Sequence, residues 1–478
     1  MLFNTINFAI FLPIVFVCYW FITNRSLKLQ NLMLLGASYF FYACWDWRFL
    51  FLLAFSTFLD YFTGLKMSEA KHNVIVKKFW FWLSIIINLG FLGVFKYYNF
   101  FVSSFAEMLN NFGFSTNPLL LKIILPVGIS FYTFHGLSYV VDIYKNRIEA
   151  EKSLVDYSLF VSFFPLLVAG PIERATHLLP QIKNKRTFDP NKAVDGLRQI
   201  LWGLFKKVVI ADQCATYVNT IFNGSDYSGS TLVLGAFLFA LQIYGDFSGY
   251  SDIALGVARI FGIELLRNFA FPYFSRDIAE FWRRWHISLS TWFRDYLYIP
   301  LGGSKGGMGM KIRNTFIIFI VSGFWHGANW TFIIWGALNA LYIMPSIIFE
   351  TNRKNLDIVA EGKWLPSFKE FISMLLTFSL ATFAWIFFRA SSVSAAFKYI
   401  GGIFSKSLLS IPSILPGRLL GLILIFIIVE WIGRENQFAI QKIINKWKWP
   451  FRYALYYLII YAVFYFSGKE QQFIYFQF

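Results

Sequence analysis

Apolar runs long enough to cross a membrane recur along the whole chain, and they limit its fold more than any other feature. Examples are 6–21, 79–95, 232–244, 375–388 and 419–431. Hydrophobic residues make up 57% of the chain and charged residues only 14%, so a soluble globule could not bury all of this apolar surface. Helices satisfy their own backbone hydrogen bonds within lipid. We therefore predict an all-α, polytopic integral membrane protein.

The basic residues indicate how the chain is oriented. The formal net charge is +17, and its lysines and arginines lie mostly between the apolar runs. Because basic loops stay in the cytoplasm, we predict a plasma-membrane protein with both termini outside. The alternation gives roughly ten or eleven spans plus one or two re-entrant segments, the first of them at 157–171. The basic loops favour the lipid bilayer as the partner, and no nucleic acid.

Nothing in the sequence indicates a second domain or a bound cofactor. No internal repeat or linker is visible, so residues 1–478 are predicted to form a single transmembrane domain. The three cysteines are isolated and have no metal-like spacing, so we predict no metal site.

His326 is the first candidate catalytic residue. It lies in SGFWHGANW, where a polar cluster interrupts the apolar run 315–342. A histidine at membrane depth normally faces a cavity or a partner, and a neutral imidazole can take a proton from a hydroxyl. Trp325 is a candidate wall of the substrate site. The alternative is a packed histidine that bonds to a neighbouring helix.

His286 is the second candidate, in the stretch DIAEFWRRWHISLSTWFRDYLYIPLGG. Its large apolar residues recur at three-to-four spacing, which predicts one amphipathic helix beginning with a capping box at Asp277. Arg283, Arg284 and Arg294 are candidate ligands for the phosphates of a nucleotide-bearing donor. They could equally contact lipid headgroups.

Two acids and one tyrosine complete the candidate site. Asp246 and Asp252 lie in QIYGDFSGYSDIALG, within or beside an apolar run, which indicates either a polar substrate pocket or a helix-to-helix contact. The chain ends in FIYFQF, whose alternation predicts an extended segment at 473–478. Tyr475 is either an interfacial anchor or a hydroxyl that accepts an acyl group.

These motifs resemble the membrane-bound O-acyltransferase family, and specifically its bacterial polysaccharide branch. The strongest resemblance is in FWRRWHISLSTWFRDYLYIPLGG and SGFWHGANW, with core motifs at about 125–345. It implies that His326 is the catalytic histidine and that His286 occupies the second family position. It also implies that a thioester enters a tunnel from the cytoplasm and that the acyl group leaves outside. The ending resembles the tail of this branch, which makes Tyr475 a candidate acyl relay.

The sequence thus favours an O-acetyltransferase that uses acetyl-CoA or another acyl thioester as co-substrate. His326 is expected to act as the general base, while His286 positions or polarises the carbonyl. The expected acceptor is an alginate-like, peptidoglycan or other surface glycan, reached through a soluble extracytoplasmic partner protein. Alternatives are D-alanyl transfer from a carrier protein to teichoic acid, a transporter or flippase, and a scaffold without chemistry. Internal repeats would favour the transporter, and none is visible.

Overall fold

The structure, a computed structural model, describes residues 1–168, 170–442, 447–468, 471, 473 and 474. Within these ranges the chain forms α-helices and no strand, which confirms the all-α prediction. The helices are α1 Ile6–Val17, α2 Leu27–Asp46, α3 Arg48–Glu69, α4 Val74–Leu92, α5 Tyr98–Asn111, α6 Ile129–Tyr144, α7 Leu154–Ser162, α8 Phe164–Leu167, α9 Ala175–Lys183, α10 Pro190–Leu204, α11 Asp212–Asn223, α12 Gly229–Ile260, α13 Ile278–Arg284, α14 Ile287–Phe293, α15 Gly307–His326, α16 Trp330–Ile348, α17 Phe368–Arg389, α18 Val393–Ile403, α19 Gly417–Ile432 and α20 Trp449–Phe466.

Short π-helical and 3₁₀ turns extend or connect several of the α-helices. Four are π-helical, namely Cys18–Ile22, Gly93–Tyr97, Phe205–Ala211 and Arg294–Tyr298 among the residues described. Pro272–Phe274 and Lys406–Leu409 are 3₁₀ turns. A π turn inserts an extra residue into a helix, and such turns are frequent at functional sites.

Five helical segments are long and apolar enough to cross a membrane. Across the described ranges they are Arg48–Glu69, Val74–Asn111, Gly229–Ile260, Trp330–Ile348 and Phe368–Arg389, and Ile6–Ile22 is a shorter apolar helix. The sequence count of ten or eleven also included runs that fold as shorter helices, such as 419–431 within the 16-residue α19. The multi-pass prediction is confirmed, whereas the larger count and the central tunnel remain predictions.

The chain falls into two compact units. The first comprises Met1–Ala193 and Ala258–Leu265, and the second comprises Val194–Val257 and Leu266–Phe478. The expectation of one transmembrane domain stays a prediction.

A buried carboxyl group joins three helices of the first unit. Asp60 of α3 is 1% exposed and accepts hydrogen bonds from Ser84 Oγ at 2.6 Å and Asn88 Nδ2 at 2.7 Å, both in α4. Gly136 of α6 lies directly against it, since a Cβ there would be 1.9 Å from Asp60 Oδ2. The hydrogen bonds therefore join α3 to α4, and the small Gly136 allows α6 to pack closely against them.

In the second unit, α15 and α16 form a closely packed hairpin. A Cβ on Gly323 would lie 2.2 Å from the carbonyl oxygen of Phe332, and one on Gly336 would lie 2.3 Å from that of Phe319. Asn329 begins α16 by accepting a hydrogen bond from the Thr331 amide at 3.0 Å. The predicted interruption of the run 315–342 is therefore confirmed, and it lies at 327–329.

The prediction of one amphipathic helix around His286 is wrong. The segment forms two seven-residue helices, α13 and α14, and His286 between them adopts a left-handed conformation with φ of 44°. A continuous helix cannot pass through such a residue. The expected cap at Asp277 is present, because its carboxylate accepts from the Glu280 amide at 2.7 Å. Glu280 reaches back to the Arg276 amide instead, so the capping box is incomplete.

Candidate active site

His326 is the last residue of α15 and lies inside the second unit. It is 4% exposed. Its ring lies against Trp335 of α16 and Phe388 of α17, with centroids 5.1 and 5.4 Å away. The next residue is Gly327, and a larger residue would not fit there because its Cβ would come within 2.1 Å of the Phe332 ring. The hairpin thus positions the imidazole at the junction of three helices.

An aromatic wall links the two predicted histidines. The Trp325 ring lies 4.9 Å from the His326 ring and 6.1 Å from that of His286, centroid to centroid. Trp325 and His286 are both buried, at 5% and 1% exposure. Trp335 stacks on Trp385 at 5.5 Å and extends the wall on the other side of His326. The structure therefore brings together His326, His286 and Trp325, which sequence reasoning had selected from two separate motifs.

His286 is held by Asn268. Its Nδ1 lies 2.9 Å from Asn268 Oδ1, and the Ile287 amide donates to the main-chain oxygen of Asn268 at 2.9 Å. Burial lowers the pKa of His286 to about 3, because desolvation disfavours the imidazolium form. The ring is therefore neutral at physiological pH. Strained backbone conformations of this kind concentrate at functional sites.

The two predicted acids are each paired with a lysine. Lys207 Nζ lies 2.7 Å from Asp246 and 2.8 Å from Asp212, and Lys206 Nζ lies 2.6 Å from Asp252. The π turn Phe205–Ala211 carries both lysines, which are 3% and 1% exposed. An unpaired buried charge is very costly, so these acids are at least partners of Lys206 and Lys207. Their predicted contact with substrate remains a prediction.

The described part of the carboxyl-terminal segment docks beside this charged cluster. The Ile474 amide donates to Asp246 Oδ2 at 2.7 Å. Phe473 is fully buried, with its ring 4.6 Å from Tyr250 and 6.1 Å from Phe247. Phe247 in turn meets the His286 ring edge-on at 4.6 Å. Tyr475 lies outside the described residues, so its predicted role stays a prediction.

The three predicted arginines have different surroundings. Arg283 donates to the carbonyl oxygens of Asn352 and Asn355 at 2.6 and 2.7 Å, and so fixes a loop. Arg284 pairs with Glu280 at 2.8 Å. The Arg294 side chain is 59% exposed and forms an ion pair with its neighbour Asp295 at 2.7 Å. Arg294 is thus the best placed of the three to bind an anion.

Two of these arginines, together with apolar side chains, line a cavity of about 580 Å³ in the second unit. Arg283, Arg294, Lys311 and Arg353 supply positive charge and Glu350, paired with Lys311, supplies one negative charge, while the apolar lining includes Trp282, Ile318, Phe319, Ile343 and Ile347. The Trp282 ring lies 5.6 Å from Trp335, which contacts His326. A cavity lined by several cations and by apolar side chains suits a ligand that carries both phosphates and an uncharged arm.

Sequence reasoning missed Asn268, Trp335 and the lysine pair. The lysines could have been found, because two adjacent cations within the apolar stretch 200–222 are expensive unless paired. Asn268 and Trp335 carry no local signal, since only the fold brings them to the histidines.

Comparison with known proteins identifies the family of this chain. The model of the membrane-bound O-acyltransferase family matches residues 145–388, which include both histidines. The chain belongs to the membrane-bound O-acyltransferase family. A probable alginate O-acetylase of Pseudomonas aeruginosa is 38% identical over 91% of this chain and 82% of its own. The peptidoglycan O-acetyltransferase of Helicobacter pylori is 36% identical over 84% of this chain and 80% of its own.

A more distant relative is the teichoic acid D-alanyltransferase of Bacillus subtilis. It is 29% identical over 55% of this chain and 68% of its own. Membership of the membrane-bound O-acyltransferase family makes this chain an acyltransferase and a multi-pass membrane protein. The acetyltransferase relatives match more of the chain, at higher identity, than the D-alanyltransferase does.

Proposed function

We propose that this acyltransferase moves an acetyl group from a cytoplasmic thioester to a hydroxyl of an extracytoplasmic glycan. The observation that carries the proposal is the pair of buried histidines on either side of Trp325, at 4.9 and 6.1 Å. A neutral imidazole is the group that acyl transfer to a hydroxyl requires. The relatives named for alginate and peptidoglycan O-acetylation support an acetyl group and a polysaccharide acceptor.

The donor is acetyl-CoA, or another acetyl thioester, bound in the basic cavity. Arg294 and its neighbouring cations hold the phosphates, and the apolar lining beside Trp282 accommodates the uncharged arm. His326 then takes the proton of the attacking hydroxyl. The hydroxyl oxygen bonds to the acetyl carbonyl carbon, the carbon–sulfur bond breaks, and the proton passes to the leaving thiolate.

Tyr475 is the proposed first acceptor of the acetyl group. The support for this proposal is the position of the two residues before it. The Ile474 amide binds Asp246, and Phe473 packs against Phe247, which itself packs against the His286 ring. A soluble partner outside the membrane completes transfer to the glycan. The protein lies in the plasma membrane, with both termini on the outer side.

The test is labelling of the purified protein in nanodiscs with radiolabelled acetyl-CoA. The parent chain acquires label, whereas Tyr475→Phe and His326→Ala do not. Full labelling of Tyr475→Phe refutes the relay, and full labelling of folded His326→Ala refutes the base. Label from a D-alanyl carrier protein but none from acetyl-CoA refutes the acetyl donor in favour of D-alanyl transfer.

A further inference from the structure

Asn268 directs one oxygen atom at three donors. Its Oδ1 lies 2.9 Å from His286 Nδ1, 2.9 Å from Ser288 Oγ and 3.4 Å from the Ser288 amide nitrogen. Asn268 is 1% exposed, and all three residues belong to the second unit. The side chain therefore connects the segment before α13 with the first turn of α14.

This arrangement fixes the direction of each hydrogen bond. A main-chain N–H can only donate, so the atom it faces must be the amide oxygen and not the amide nitrogen of Asn268. An amide oxygen only accepts, which means that His286 Nδ1 carries the proton. A neutral imidazole has one N–H, so Nε2 of His286 presents a lone pair.

That lone pair has no hydrogen-bond partner in the described part of the chain, although Nε2 is buried. The Nδ2 atom of Asn268 is likewise buried without a partner there. Burial also lowers the pKa of His286 to about 3, so the ring does not gain a second proton near neutral pH. Buried polar atoms are normally satisfied, and one that is not calls for a ligand or a water.

We propose that Asn268 is a positioning residue that locks His286 in the Nδ1-protonated form, so that Nε2 accepts a hydrogen bond from a bound substrate. This inference rests on the proposed acetyl transfer and changes one expectation from the sequence. A neutral Nε2 without a proton cannot polarise the thioester carbonyl. The donor it meets is an O–H of the acceptor or an amide N–H in the arm of the thioester.

The first test compares Asn268→Asp and Asn268→Leu with the parent enzyme. Aspartate keeps the accepting oxygen and adds a negative charge that stabilises the imidazolium, so the acid limb of the kcat profile moves to higher pH. Leucine removes the acceptor and lowers kcat/KM for acetyl-CoA about 10–100-fold, the loss seen when a metal-bound histidine loses its orienting partner. An unchanged pH profile in Asn268→Asp would mean that the protonation state of His286 does not affect the rate, and that result overturns the proposal.

The second test is the ¹⁵N spectrum of histidine-labelled protein, in which His286→Gln assigns the signal. The expected signal is a neutral ring protonated at Nδ1, and a ring protonated at Nε2 overturns the proposal. Kinetics separate the two donors. If Asn268→Leu raises the KM for acetyl-CoA at unchanged kcat, the group that donates to Nε2 is the amide N–H of the thioester. If it lowers kcat at saturating acetyl-CoA, that group is the hydroxyl of the acceptor.

These outcomes remain distinct from failure of the proposed function. If the parent enzyme transfers no acetyl group, the proposed function fails while the ¹⁵N result still decides the tautomer. If His286→Gln loses activity while both Asn268 variants match the parent in rate and pH profile, only the role of Asn268 is refuted.

Discussion

Replacing Lys207 with methionine tests whether the buried charge cluster holds the second unit together. Lys207 is 1% exposed, and the substitution leaves two carboxylates, Asp246 and Asp212, at 3% and 13% side-chain exposure without their cation. Breaking a buried ion pair by removing one partner costs about 3–5 kcal/mol. Asp212 can turn toward water, so we expect Lys207→Met to lower the free energy of unfolding by about 3 kcal/mol, the lower end of that range.

The double variant Lys207→Met/Asp246→Asn separates charge from shape. Asparagine keeps an oxygen for the Ile474 amide but no longer leaves a buried negative charge. We expect it to recover about 1–2 kcal/mol of the loss, because residues in direct contact are not additive. The matched control is Lys311→Met, whose ion pair with the exposed Glu350 is worth about 0–1 kcal/mol.

Stability is measured by unfolding the protein in mixed micelles with increasing SDS, followed by tryptophan fluorescence. The chain contains 17 tryptophans, so the signal is strong. Equal stability of Lys207→Met and Lys311→Met would refute the reasoning, since it would mean that the buried cluster contributes no more than a surface pair.

The other predictions concern packing, donor binding and pH. Gly323→Ala should lower the free energy of unfolding by about 1–3 kcal/mol, because the added methyl group forces α15 away from α16. Gly309→Ala on the same helix should leave stability unchanged in the same thermal unfolding assay, because no atom lies within 4 Å of the added Cβ. Arg294→Gln should raise the KM for acetyl-CoA several-fold at unchanged stability, whereas Arg283→Gln should also destabilise the loop it binds; steady-state kinetics and melting curves distinguish them. His286 binds a proton below about pH 6.5 in the unfolded chain but only near pH 3 in the folded protein, so stability falls as the pH drops between these values. His286→Gln should therefore reduce the dependence of the melting temperature on pH in this range.

The parts of this fold that follow from local sequence were predictable. Apolar runs determine that the chain is helical and membrane-embedded, because lipid leaves the backbone few alternatives. The break near His326 was predictable too, since Asn329 and its neighbours interrupt the apolar run and Asn329 caps the next helix. Asp277 likewise caps α13 as its sequence position indicated.

The parts that depend on tertiary contacts were not predictable. The spacing of large apolar residues around His286 indicated one helix. In the structure His286 is hydrogen-bonded to Asn268, 18 residues away, and adopts a left-handed conformation that divides the segment into two helices. Arg283 was predicted to bind phosphate because of its charge, and only the fold shows that its guanidinium group already donates to two main-chain carbonyl groups. The roles of Lys206 and Lys207 likewise depend on acids in another helix.

The most direct test of the central claim is the rate at which the enzyme in nanodiscs transfers radiolabelled acetyl from acetyl-CoA to its own chain. It compares the parent, His326→Ala and the exposed-histidine control His72→Ala. Loss of a general base predicts a fall of about 10²–10⁴-fold for His326→Ala and no change for His72→Ala. A folded His326→Ala enzyme that transfers acetyl as fast as the parent would contradict the account.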